Sequence, residues 1–145
     1  MKLTRLQIVF MLYLLKEAVY MTAKAMYSAS SVAKWFLNHV RMLTSEEDEE
    51  FLTNLKLQKL LYYAQGASLA LNDRPLFNDE IVHWQHGPAV REVYREYAQH
   101  RGNPIQYDED FTESYDQETE DLLNDVYETF GCYSAWGLRN MILNS

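Results

Sequence analysis

A single cysteine, Cys132, excludes an intramolecular disulfide and fits a reducing compartment. The five glycines (Gly66, Gly87, Gly102, Gly131 and Gly137) are dispersed, so no glycine-rich loop exists to cradle a phosphate. The longest apolar run, Leu6 to Leu15 with Gln7 inside it, is too short to cross a bilayer as a helix. Basic residues are scarce where they would matter for a polyanion. Residues 1–101 hold 12 Lys and Arg against 11 Asp and Glu, whereas residues 102–145 hold Arg139 alone against 10 acids, within a total charge of -8. Such an acidic third repels phosphate backbones and disfavours direct nucleic-acid binding. It would attract a basic protein surface, or simply solvate an exposed helix.

At 145 residues the chain is most simply one domain, long enough for a hydrophobic core. Its 48% hydrophobic and 14% aromatic content argues against general disorder. Eleven tyrosines against six phenylalanines suit half-buried positions, where a ring packs and its hydroxyl meets water or a partner.

The amino-terminal stretch imitates a secretory signal: Lys2 and Arg5 precede the apolar run, and Ala23-Lys24-Ala25 resembles a cleavage site. That site lies too far beyond the run, and Lys16 and Glu17 follow it at once. Residues 1–25 are therefore expected to be a helical extension or the product of an upstream start, in preference to a leader. A cleaner domain, 26–145, follows. Ser28 can cap a helix through Val32, Phe36 and Val40 that ends near Met42. The run TSEEDEE at 44–50 is a charged linker or a first helical turn.

Thr53 or Asn54 should cap a central helix with Leu57, Leu60, Leu61, Ala64, Ala67, Ser68 and Leu71 on one core-facing side. The turn NDRP, residues 72–75, ends it, and Leu76 and Phe77 can fold back as an anchor. Glu80 to His86 alternates as a strand does, an extended segment or small hairpin. Pro88 is expected to begin a helix bearing Val90, Val93, Tyr94 and Tyr97, with Gly102 as its C-cap. Ser114 or Asp116 should start a helix ending at Gly131, with Ser114 and Gln117 resembling a capping box. Ser134 should cap a last short helix. The fold class is all-α: a compact single-domain bundle of about five or six helices with a short extended segment near 80–86.

No catalytic constellation emerges. His83 and His86 on one strand point to opposite faces without further ligands, so no metal and no cofactor are expected. Cys132 lacks a marked base. His86-Gly87-Pro88 is a mechanical corner that could present Trp84 and His86 to a partner.

LKLQKLLYYAQG at 55–66, PLFNDEIVHWQHGPAVREVYREY at 75–97, YSAW at 133–136 and YSASSVAKWFLN at 27–38 resemble the Panacea domain of SocA-like antitoxins and GepA-type phage-associated proteins. The resemblance runs from about Met26 to Met141. It departs at residues 1–25, at Ala67 where a bulky aromatic is frequent, and after YSAW, where Met141-Ile142-Leu143 precede an early stop as in a C-terminally truncated member. It implies a cytoplasmic, non-enzymatic protein that neutralises a toxin encoded nearby by direct contact, or delivers it to a protease. Less favoured are a hydrolase using His83 or His86 and an oligomeric structural protein built on the amino-terminal helix. Candidate contact residues are Trp84, His86, Tyr94 and Tyr97, with Glu118, Glu120 and Asp121 steering a basic partner.

Overall fold

A computed structural model describes residues 2–17, 24–43, 52–107 and 109–143. The acidic run at 44–50 and the proposed cleavage site at Ala23 lie outside the described residues. Six helices occur in these regions: α1 (Arg5–Glu17), α2 (Ala29–Leu43), α3 (Asn54–Asn72), α4 (Arg91–Glu96), α5 (Gln117–Phe130) and α6 (Ala135–Leu143). Between α3 and α4 lies one antiparallel hairpin, β1 (Ile81–Trp84) and β2 (Gly87–Val90). The protein is mostly helical, with a short extended excursion. None of the described helices is long and apolar enough to cross a membrane.

Local chemistry sets the helix starts. Ser28 Oγ accepts from the Ser31 amide at 3.1 Å ahead of α2, and Ser134 Oγ accepts from the Gly137 amide at 3.0 Å ahead of α6. The tripeptide Tyr-Ser-Ala at 27–29 and 133–135 thus supplies the same cap twice. Thr53 Oγ1 accepts from the Lys56 amide at α3. At α5 the cap is Asp116, whose carboxylate accepts from the Thr119 amide at 2.8 Å, and the Ser114–Gln117 capping box does not form. The left-handed residue that ends α3 is Asp73, φ 54°, a position its short polar side chain tolerates.

α3 is the centre of the molecule, packed against α1, α2, α5, α6 and β2. The expected one-sided helix is in fact buried nearly all round: besides the buried Leu57, Leu60, Leu61 and Leu69, the polar Asn54, Gln58, Lys59, Gln65 and Ser68 are all 2% exposed or less, whereas Leu71, expected on the core side, is 39% exposed at the helix end. Buried polar groups are tolerated only with partners, and these residues tie α3 to its surroundings. Asn54 Nδ2 donates to the Tyr94 carbonyl, Gln58 Oε1 accepts from the Val90 amide, and Gln65 bonds both the amide and the carbonyl of Phe77. Leu76 and Phe77 fold back into the core at 3% and 0% exposure. On the opposite side Met11, Leu12 and Leu15 of α1 are buried, and a Cβ added to Gly66 would stand 2.7 Å from Leu15 Cδ1. Gly66 is what lets the two helices approach so closely.

The helix expected from Pro88 starts later. Pro88 lies in β2, and α4 spans only Arg91–Glu96 before a 3₁₀ turn at Ala98–His100. The register pairs Trp84 with Gly87 across a two-residue turn, so Pro88 opposes His83 at a position that does not exchange ladder bonds. Its missing N–H therefore costs nothing there. Its carbonyl faces away from β1 and accepts from Lys59 Nζ at 2.8 Å. Gly102 is not a C-cap either: the positive φ after the 3₁₀ turn belongs to Arg101, φ 53°.

Candidate functional site

The tip of the hairpin, Gln85-His86, is held between α3 and α6. Gly87 takes φ 99°, a backbone conformation that favours glycine, and a Cβ there would also press on Lys59 Cε and Nζ at 3.3 Å. From below, Gln58 and Lys59 bond the backbone at Val90 and Pro88. From the side, Arg139 Nη2 donates to the Gln85 carbonyl at 3.3 Å. A hairpin of this size is marginal alone, and these bonds fix it.

On this support stands an edge of exposed rings. Trp84 (41% exposed) meets Tyr94 (37%) edge-to-face at 4.9 Å between centroids. His86 meets Trp136 at 5.6 Å, and the Arg139 guanidinium carbon lies 5.2 Å from the Trp136 ring centroid. Trp136 is 53% exposed, and Tyr133, also on the segment leading into α6, is 44% exposed. Three of the four aromatic residues expected as contacts therefore lie on this edge. Tyr97 is buried at 8%; its hydroxyl pKa is raised, first by burial and then by Glu96 and other nearby charges.

Trp136, Arg139 and Lys59 belong to the same edge and were missed in the sequence. The signal for Trp136 and Lys59 was the two segments YSAW and LKLQKLL, in which they stand; Arg139 lies in neither. Lys59 is 1% exposed, and its pKa falls from 10.5 to about 8, first through burial and second through the neighbouring Arg139.

The acidic candidates occupy α5. Glu118 is 3.8 Å from Arg74, Glu120 accepts from Trp35 Nε1 at 3.1 Å, and Asp121 accepts from Gln117 Nε2 at 2.8 Å. Glu118 and Asp121 are exposed, whereas Glu120 is half-buried and holds α2 against α5. Asp116 is a cap: its carboxyl pKa is lowered chiefly by the Thr119 amide, with Tyr27 and Arg74 also favouring the ionised form. Among the described residues no hydrogen bond, ion pair or ring contact joins these carboxylates to the hairpin edge.

Beside α5 an open cleft is lined by His39, Asp121, Tyr127 and Cys132 among others. His39 stacks on Trp35 at 4.7 Å, and burial lowers its pKa, so the imidazole is neutral at pH 7. Cys132 Sγ faces the Thr129 carbonyl at 4.0 Å. No group of three or more His, Cys, Asp or Glu that could hold a metal ion occurs among the described residues.

A family model described as "Antitoxin SocA-like, Panacea domain" matches residues 57–145, more than half of the chain and all of the hairpin edge. Antitoxin SocA of Caulobacter vibrioides (strain NA1000 / CB15N) is 48% identical over 44 residues, which cover 30% of this chain and 23% of that relative. No solved structure matches.

Proposed function

The chain belongs to the SocA-like antitoxin, Panacea domain family, and from that membership we propose that it neutralises a cognate toxin, encoded beside it, by direct contact in the cytoplasm. The docking face is the hairpin edge of Trp84, Tyr94, His86 and Trp136. The observation that carries this reading is the combination of large, exposed rings with a backbone pinned from two sides. Aromatic anchors dominate interface energies, and a contact held ready before binding loses less entropy on association. Residues 26–145 are the acting domain in this proposal, with α1 bracing it.

Co-expression with the protein from the neighbouring reading frame tests it. Trp84→Ala and Trp136→Ala each should abolish growth rescue while the purified chain keeps its helical spectrum and thermal transition. Rescue at the wild-type level by both variants would remove this face from the mechanism. Following the amount of toxin separates two modes: direct occlusion leaves it constant, whereas delivery to a protease depletes it.

A further inference from the structure

Two basic side chains approach Gly87, with no carboxylate paired to either among the described residues. Lys59 comes from α3 and Arg139 from α6, and a Cβ on Gly87 would stand 3.3 Å from Lys59 Nζ and 3.7 Å from Arg139 Cγ. Among the described residues neither forms an ion pair with a carboxylate. Bracing of the hairpin explains two bonds, Lys59 Nζ to Pro88 and Arg139 Nη2 to Gln85. It does not explain Arg139 Nε, the one buried side-chain polar atom without a hydrogen-bond partner among the described residues. A buried, unpaired donor on a charged group is costly, and its retention calls for a use.

We infer that the corner between the hairpin tip and α6 receives a carboxylate: an acidic side chain of the partner protein, taken by Arg139 with Lys59 behind it. Nε and a terminal nitrogen of a guanidinium form the planar fork that matches a carboxylate's two oxygens. Trp136 lies over that guanidinium and is half exposed, so a rotamer change of its ring uncovers the fork. The neighbouring rings then pack on the apolar stem of the incoming residue. The chain's charge of -8 disfavours a polyanion such as nucleic acid at this corner, whereas a single carboxylate faces two local cations. The lysine's pKa is drawn down to about 8 first by burial and then by the nearby Arg139. This inference rests on the docking face proposed above and supplies the chemistry of its partner.

The test titrates the full-length, nitrogen-15-labelled chain with N-acetylglutamate N-methylamide, which carries a side-chain carboxylate and no terminal one. The Trp136 indole and Gly87 amide resonances should shift saturably, with about millimolar affinity for so small a probe. The glutamine analogue should leave them in place, and Arg139→Gln should remove the response to the glutamate probe. Equal shifts from both probes, no shift from either, or an unchanged response in Arg139→Gln would overturn the assignment. A response to N-acetylphenylalanine in place of the glutamate probe would overturn the side-chain source in favour of a chain terminus. If Arg139→Gln does not fold, the comparison of the two probes on the wild-type chain decides alone. Glutamate-specific shifts together with full rescue by Trp84→Ala and Trp136→Ala would leave the carboxylate site standing without the docking face. Lost rescue without such shifts would leave the face without this site.

Discussion

Gln65 shows how much one buried side chain can organise. At 0% exposure it accepts from the Leu76 and Phe77 amides and donates to the Phe77 carbonyl, closing the return of the chain after α3. Gln65→Leu keeps the volume but leaves three backbone groups without a partner. It should cost roughly 3 kcal/mol, seen as a lower denaturant midpoint; an unchanged midpoint would mean that water replaces the amide. Lys59 makes a prediction of opposite sign in pH. Its folded pKa, about 8, lies below the ordinary 10.5, so between those values the unfolded chain holds the extra proton. Stability therefore rises with pH across that window, by on the order of 2 kcal/mol. The tyrosines Tyr63, Tyr97 and Tyr115, whose pKa values are raised above 10.0, act against it once unfolded phenols begin to ionise. The gain is best read by urea titration below about pH 9.5, and Lys59→Met should flatten it. These two residues were not legible as connectors in the sequence. Their neighbours, Leu57, Leu60, Leu61 and Ala64, follow helical spacing, but no spacing reveals that a carbonyl at Pro88 or Phe77 waits for a buried donor.

Elements whose cause is local could be read directly. α3 begins after Thr53 and α6 after Ser134 because their caps lie within three residues of the amides they serve. The hairpin required more. Pro88 satisfies the rules for a helix start, and its place in β2 depends on its opposing His83 and on Lys59, 29 residues earlier. The all-round burial of α3 was likewise hidden, because it depends on which helices surround it. Among these is α1, formed by residues that lie outside the family match at 57–145. Its seat on Gly66 gives an element-scale prediction. Ala at that position gains about 1 kcal/mol of helix propensity against a clash that a flexible Leu15 can partly relieve. Gly66→Leu has no such escape, because it adds three further carbons beyond a Cβ that would already stand 2.7 Å from Leu15 Cδ1 and 3.2 Å from Met11 Cβ. It should displace α1 and lower stability by roughly 1–3 kcal/mol. Amide exchange should then quicken in residues 5–17 and not in α5. Displaced α1 exposes Met11, Leu12 and Leu15 together with the already exposed Leu6, Val9, Phe10 and Tyr13. Light scattering on Gly66→Leu and on a chain starting at Met26 separates bracing from self-association: oligomers in the first and a monomer in the second would locate the sticky face in α1.

The described residues divide by chemistry: exposed rings and Arg139 at the hairpin edge with Lys59 buried beneath it, and carboxylates along α5. The first group was only half legible, because Trp84, His86 and Tyr94 are adjacent in sequence while Trp136 and Arg139 reach them through the packing of α6. The second was plain from composition, yet composition did not distinguish its members. Glu120 holds Trp35 and Asp116 caps α5, so replacing either changes the fold as well as the field. Glu118 and Asp121 are exposed and can be neutralised with little structural cost. Charges far from a docking surface act on the approach of a partner more than on the final complex. With a basic toxin, the wild-type association rate should fall as salt rises past the point where the screening length is about 10 Å. The Glu118→Gln, Asp121→Asn variant should associate roughly two- to fivefold more slowly at low salt and converge with the wild type at high salt, its dissociation rate unchanged. Stopped-flow association across ionic strength checks this. Superimposed curves would take α5 out of the encounter, and a faster dissociation in the variant would place α5 inside the interface.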